Sequence, residues 1–279
     1  MVSASVITAV CVTLFLTLFL PLILYVVYGA RNKGKGVWTA WLLGAAGFFV
    51  FQVVIRLPLL SLLSLNQGFQ AFAAKHYVLY CLALAFTAGL FEAAGRYVVA
   101  KVMAKQLTFH KGFAAGMGHG GIESMIIVGM TYINNLLYIL MINGGTFDQL
   151  VSQTEQLGVD SSALYMAKDA LISTGPAMFY LAGYERILTM IFHVALSLLV
   201  CYSVWNKKAV QGVIACLLIH TAADFVAPLI SGMSTEYMGN ILSPTTAYIL
   251  IYVFLTGMAV LSVAGILLIR KSWKRKESA

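Results

Sequence analysis

Hydrophobic positions along this chain neither alternate nor keep to one helical face; they run on in long unbroken stretches. Seven such stretches follow one another, roughly Ala4–Tyr28, Trp38–Leu62, Tyr77–Met103, Gly112–Ile142, Pro176–Trp205, Val210–Ile230 and Thr245–Ile269. About 20 apolar residues suffice for a helix to cross the hydrocarbon core of a bilayer. In lipid only helices and closed barrels satisfy every backbone donor and acceptor, and runs this long read as helices. The expected fold class is all-α, a polytopic transmembrane helical bundle of about seven spans. Residues 1–279 read as a single transmembrane domain with no internal repeat and no low-complexity tract. The opening stretch lacks a basic leader and a small-residue cleavage site, so it reads as a retained span.

Composition agrees with the pattern: 61% of residues are hydrophobic and only 10% charged, which excludes an ordinary soluble domain. The formal net charge of +8 could suggest a nucleic-acid partner, but its distribution does not. Lys and Arg cluster in alternate loops, at Arg31–Lys35, at Lys101–Lys111, at Lys207 and Lys208, and from Arg270 to Lys276. The remaining loops hold Lys75 and Lys168 with Asp148, Glu155, Asp160 and Asp169. By the positive-inside rule the basic loops face the cytoplasm, the N-terminus lies outside and the C-terminus inside. A multi-pass protein of the cell membrane is expected, with the bilayer and no nucleic acid as its surroundings. Cys11, Cys81, Cys201 and Cys216 fall within spans without paired spacing and read as free thiols. One external loop, about 143–175, is long and partly amphipathic, from Asp148 to Leu157 and from Ser161 to Ile172. Loops of that length serve as lids or are simply mobile.

Ionisable residues inside the spans carry the chemical information. A charge at the bilayer centre costs about 2.5–3.5 kcal/mol on insertion scales. Against that cost the third to sixth spans, about 77–230, contain Glu92, Arg96, His119, Glu123, Glu185, Arg186, His193, His220 and Asp224. Arg56 lies near the outer end of the second span beside Pro58, where its long side chain is expected to snorkel. Glu92 and Arg96, His119 and Glu123, and His220 and Asp224 are each four residues apart, so each pair shares a helical face. At a rise of ~1.5 Å per residue, Glu92, His119, His193 and His220 fall at depths of roughly 16, 11, 18 and 15 Å from the cytoplasmic end. Three histidines and a glutamate on four helices thus converge on one layer. With neutral histidines the four buried acids exceed the two buried arginines by two charges. Protonated carboxylates, charged histidines or a divalent cation would each offset that excess.

The motifs Phe-Glu-x-x-Gly-Arg-Tyr at 91–97, Gly-x-Gly-His-Gly-Gly-Ile-Glu at 116–123, Glu-Arg followed by His193, and His-x-x-x-Asp at 220–224 resemble those of the YhfC family of bacterial membrane proteins. That family is grouped with PrsW and the CAAX-prenyl endopeptidase relatives as glutamic-type intramembrane proteases. The resemblance covers almost the whole chain and implies peptide-bond hydrolysis within the membrane by a glutamate-activated water. Where the related proteases carry a double glutamate ahead of a basic residue, Ala93 follows Glu92, so one carboxylate is absent.

Read for chemistry, Glu92 is the candidate base, with Arg96 opposing the effect of desolvation on its carboxyl. His119 and His193 would orient water or protonate the leaving group, and His220, oriented by Asp224, would assist the oxyanion or the proton transfer. Glu185 and Arg186 form a second tier. The leading expectation is glutamic chemistry without a cofactor. The alternative is a zinc-dependent protease in which His119, His193 and His220 hold the metal, although the His-Glu-x-x-His pattern is absent. A membrane-embedded or lipid-anchored protein or peptide is the expected substrate. A non-catalytic adaptor and a proton-coupled transporter are the remaining classes, the latter without the inverted repeats that transporters usually show.

Overall fold

The computed structural model describes residues 1–278. Every regular element among them is helical. Seven helices are long and apolar enough to cross a membrane: Ala4–Arg31, Val37–Ser64, Tyr77–Val102, Phe109–Asn143, Pro176–Trp205, Ala209–Gly232 and Pro244–Glu277. They are called the first to seventh helices below. The protein is therefore an all-α, multi-pass membrane protein, in the order that the hydrophobic pattern predicts.

The bounds shift where a helix outlives its apolar run. The seventh helix continues past Ile269 through Arg270, Lys271, Lys274, Arg275 and Lys276. Cations there complement the negative end of the helix dipole, and unbranched Lys and Arg are good helix formers. The fourth helix begins at Phe109 instead of Gly112, because the Thr108 hydroxyl oxygen accepts the Lys111 backbone N–H at 3.3 Å and so caps the first turn. The amphipathic parts of the long loop form two helices, Phe147–Gln156 and Ser162–Ser173. A further short helix, Gln67–Lys75, stands between the second and third; Asn66 caps it by accepting from the Phe69 N–H at 3.0 Å. Wide π-helical turns interrupt the first, second and fourth helices at Phe15–Phe19, Phe49–Arg56 and Ser124–Gly129.

Two compact units divide the chain, one comprising Met1–Ile23 and Ser124–Ile187, the other Leu24–Glu123 and Leu188–Ala279. In the first unit Val2, Val6, Ala9, Val10, Tyr132, Ile139, Leu171 and Phe179 form the core. Polar side chains there reach backbone groups, as lipid requires. The Thr13 hydroxyl donates to Phe179 O at 2.6 Å, and Asn143 exchanges two hydrogen bonds with the Val2 backbone, at 2.7 and 3.2 Å. Phe147, at the start of the loop helices, is buried edge-on against Tyr138, and Lys168 pairs with Asp148 at 2.6 Å.

The second unit is held by backbones in near contact. The stretch Val37–Phe48 of the second helix lies against Phe109–Glu123 of the fourth, and glycines open both sides of that seam. A Cβ added at Gly44 would come within 1.9 Å of Ala115 O, and one at Gly118 within 1.9 Å of Trp41 O. Small residues are what let membrane helices approach this closely. The third helix packs in turn on the sixth, where a Cβ at Gly89 would meet Leu217 O at 2.9 Å. Around this frame Trp41, Val99, Phe192, Leu196, Val200 and Trp273 belong to the apolar core.

Gly44→Val or Gly118→Val is expected to lower stability by about 3 kcal/mol, the upper end of ordinary overpacking costs. Gly257→Ala and Gly265→Ala, whose added Cβ would meet nothing within 4 Å, should stay within about 0.5 kcal/mol of wild type. Thermal unfolding of the four variants in detergent measures the contrast.

Candidate active site

Stretches of the third to sixth helices that belong to the second unit bring Glu92, Arg96, His119, Glu123, His193, His220 and Asp224 into one cluster. On the third helix Glu92 and Arg96 stand one turn apart, and the Arg96 Nη2 donates to Glu92 Oε2 at 3.1 Å. Each of the two residues is only 3% exposed. On the fourth helix His119 presents Nε2 2.9 Å from the same oxygen. The edge of His119 is held by the Phe48 ring, 5.2 Å away and nearly perpendicular. His193 of the fifth helix closes on the fourth at Gly120, where an added Cβ would lie 3.0 Å from the His193 Cβ. Its ring stacks on His119 at a centroid distance of 5.3 Å. His220 of the sixth helix places Nδ1 3.5 Å from Glu92 Oε2, and the His193 Nδ1 is 3.7 Å from it. A single carboxylate oxygen is thus faced by one guanidinium and three imidazoles.

Arg96 fixes which ring nitrogens bear protons. Its Nη2 lies 2.6 Å from His193 Nδ1 and its Nη1 3.3 Å from His220 Nδ1. A guanidinium can only donate, so both Nδ1 atoms accept. In the neutral rings the proton then sits on Nε2, which is 2.7 Å from Glu123 Oε2 in His193 and 3.3 Å from Asp224 Oδ2 in His220. The sequence leaves two surplus acids, and these are where they stand: Glu123 and Asp224 each face a histidine. Their side chains are also the more accessible ones, at 15% and 39% against 3% for Glu92. The surplus charge therefore sits toward the open edge, and the deepest pair, Glu92 with Arg96, is balanced.

One residue that sequence reasoning passed over, Gln52, joins the site, and a second, Arg56, is buried on the same turn. Gln52 donates its amide to Glu92 Oε1 at 3.3 Å, while its own oxygen has no hydrogen-bond partner among the described residues. Arg56 does not snorkel. It is 8% exposed, and it donates to Leu84 O at 2.8 Å and to the Thr87 hydroxyl at 3.2 Å on the third helix. Both lie in the wide turn Phe49–Arg56. Their signal was an amide four residues before a cation in an otherwise apolar run. Beneath the cluster a cavity of about 10 Å³, enough for one water, is bounded by Arg96, His119 and Ser197 among others. Arg96 Nε and Ser197 Oγ have no hydrogen-bond partner among the described residues. Glu185 and Arg186 belong to the first unit and pair with each other.

The donor set suits a divalent metal. Glu92, His119, Glu123 and His193 each offer one ligand atom, and these atoms lie within 4.8 Å of one another. Two imidazoles and two carboxylates form a borderline set of the kind zinc takes in catalytic sites. His220, named with His119 and His193 as a potential ligand from the sequence, is not in this group; Glu92 and Glu123 are.

Removing Arg96 would strand Glu92 in a dry site. Arg96→Met is expected to cost about 3–5 kcal/mol, and much of this should return in the double variant Glu92→Gln/Arg96→Met. A double-mutant cycle of unfolding midpoints in detergent reads the coupling, and strict additivity of the two changes would refute it.

Comparison with known proteins places this geometry in a family. Membrane protein YhfC of Bacillus subtilis (strain 168) is 33% identical over 183 residues, which cover 65% of this chain and 67% of that protein. No solved structure matches the chain. The model of the YhfC intramembrane metalloprotease family matches residues 16–241, a range that contains every residue of the cluster. The family's description names a metal, the alternative that the sequence left open beside the glutamic chemistry implied by the resemblance. The chain belongs to the YhfC intramembrane metalloprotease family.

Proposed function

We propose that the protein is a metal-dependent intramembrane endopeptidase. The observation that carries the reading is the convergence of four metal-type donors, one of them the buried, hydrogen-bonded carboxylate of Glu92, inside membrane-spanning helices. His119, Glu123 and His193 would hold the metal, a two-histidine, one-carboxylate set. Glu92, within reach of the same point, would serve as the proton acceptor. A bound divalent cation would supply Lewis-acid polarisation of the scissile carbonyl and of water.

The remaining chemistry belongs to the chain. Hydrolysis adds water across the C–N bond: oxygen bonds to the carbonyl carbon, and one proton must leave the water and reach the departing nitrogen. Glu92 Oε2 is the acceptor for that proton, its other oxygen being anchored by Gln52. His220, 3.5 Å from Glu92 Oε2 and oriented through Nε2 by Asp224, is placed to pass a proton to the amine as the C–N bond breaks. Arg96 keeps His220 in the required tautomer and balances the charge of Glu92; it holds His193 at Nδ1, so His193 would take a metal through Nε2 once that nitrogen had given up its proton. Apolar helix walls exclude bulk water, so these few dipoles act at low dielectric, where they are strongest. The substrate would be a membrane-embedded or lipid-anchored polypeptide, since the cluster lies among spans. The distribution of Lys and Arg further supports an external N-terminus and a cytoplasmic C-terminus.

One observation favours a second reading. The Arg96 guanidinium already lies against Glu92 and His193, two of the four donors. A resident cation of that kind could replace a metal in a purely glutamic mechanism.

Purified protein in proteoliposomes should cleave members of a library of membrane-tethered peptides. Glu92→Gln should lower the rate by about 10²–10⁴-fold, the usual worth of a general base, with metal content retained. His119→Ala and His193→Ala should lose both activity and bound metal. His220→Ala should lose activity but keep the metal. A chelator should abolish cleavage and zinc should restore it. Undiminished cleavage by chelated, metal-free protein would overturn the metal in favour of the glutamic mechanism. Indifference of the cleavage rate to Glu92→Gln and His193→Ala would overturn the site itself.

A further inference from the structure

A second cavity lies at the basic start of the fourth helix, apart from the residues of the cluster. It has a volume of about 670 Å³ and opens where three chain segments meet: the turn after the first helix, the start of the fourth and the end of the seventh. In a seven-span chain these segments share one side of the membrane, so the cavity sits at headgroup depth. Lys35, Lys111, Arg270 and Lys274 line it, with Glu277 as the one acid among the lining residues. The wall is therefore strongly positive.

These cations are held, but by neutral groups. Lys35 Nζ donates to Asn32 Oδ1 at 3.0 Å and stands 3.2 Å from His110 Nε2. Lys111 Nζ donates to Gln106 Oε1 at 2.9 Å. Arg270 lies over the Phe109 ring, its Cζ 5.9 Å from the centroid. Each contact positions a charge without neutralising it, and four cations set against Glu277 alone repel one another until a further anion joins them. Trp273, 0% exposed, also lines the cavity, and its indole N–H has no hydrogen-bond partner among the described residues. The turn that carries Lys35 is set by two glycines with left-handed backbone, Gly34 at φ +77° and Gly36 at φ +68°.

A neighbouring cavity of about 430 Å³ shares Gly36, Gln106 and Lys111 with the first. It adds Lys101 and Lys105, but also Leu43, Val102 and Met103. A cationic hollow that continues into a part-apolar one has the form of an amphiphile, with its anion in the first and its less polar portion in the second. Basic pockets between membrane helices recognise phosphate headgroups in this way.

We propose that this paired cavity binds a phosphate-bearing headgroup, that of an anionic lipid in the adjoining leaflet, separately from the Glu92 cluster. Lys111 bridges the two hollows, and Arg270 faces the anion from the opposite segment. Bound lipid would tie the end of the seventh helix to the start of the fourth.

Native mass spectrometry of the full chain in detergent tests this, with short-chain phosphatidylglycerol, short-chain phosphatidylcholine and inorganic phosphate as probes. Phosphatidylglycerol should bind preferentially over phosphatidylcholine. Lys111→Gln/Arg270→Gln should bind it about 25-fold more weakly, each basic residue near a headgroup being worth a factor of about five. Lys111→Arg/Arg270→Lys should keep the binding, which separates lost charge from a misfolded variant. Competition by millimolar inorganic phosphate would assign the site to the free anion, and resistance to it would assign the site to the lipid. Equal binding by wild type and the glutamine variant, or no preference over phosphatidylcholine, would overturn the proposal.

Discussion

A carboxylate that cannot reach water organises the centre of this protein. Glu92 is almost wholly buried, and an unpaired charge there would cost several kcal/mol. Both of its oxygens are therefore met: Oε2 by Arg96 and His119, Oε1 by Gln52. Each partner comes with obligations of its own. Arg96 turns its two terminal nitrogens to His193 and His220 as well, and only its Nε has no hydrogen-bond partner among the described residues. Those rings then turn their protonated nitrogens toward Glu123 and Asp224. One ionised group thus propagates an order of donors and acceptors through four helices, and the arrangement that satisfies it is also one that can move protons or hold a metal.

Such a network tolerates little slack, because a hydrogen bond weakens steeply within a few tenths of an ångström. Rigidity comes from the glycine seams. Where Gly44 meets Ala115 and Gly118 meets Trp41, backbone touches backbone, and no side chain is left to repack. The glycine run at 116–121 serves both ends at once. Gly118 seats the fourth helix on the second, and Gly120, on another face of the same turn, admits His193 beside His119.

Much of this was legible in the sequence because membrane helices obey simple periodicities. Residues four apart share a face, so Glu92 with Arg96 and His220 with Asp224 could be paired before any coordinates, and depth counting put the histidines in one layer. Partner choice was not legible. Nothing in the spacing of His193 says that its Nε2 would face Glu123, so Glu123 was ranked with the site without being seen as a ligand candidate. Gln52 and Arg56 escape for another reason: a neutral amide does not stand out among ionisable residues, and an arginine near a span end beside Pro58 reads as snorkelling, whereas Arg56 turns inward to Leu84 O and Thr87. Helix ends escaped as well, since hydropathy stops at Ile269 while the backbone, favoured by Lys and Arg, continues to Glu277.

That wide turn at Phe49–Arg56 has a consequence for how the second helix can change over generations. A π-helical turn amounts to one residue inserted into an α-helix, so the halves before and after it keep separate angular phase. Gly44 and Gly47 are committed to packing in the earlier half, and Gln52 and Arg56 to polar contacts in the later one. Loss of a single residue between them would heal the backbone ladder and make a more regular helix. It would also swing one set of commitments about a quarter-turn away from its partners. In this segment chain length is therefore held by these contacts against the backbone's own preference, and substitutions are easier to accommodate than deletions.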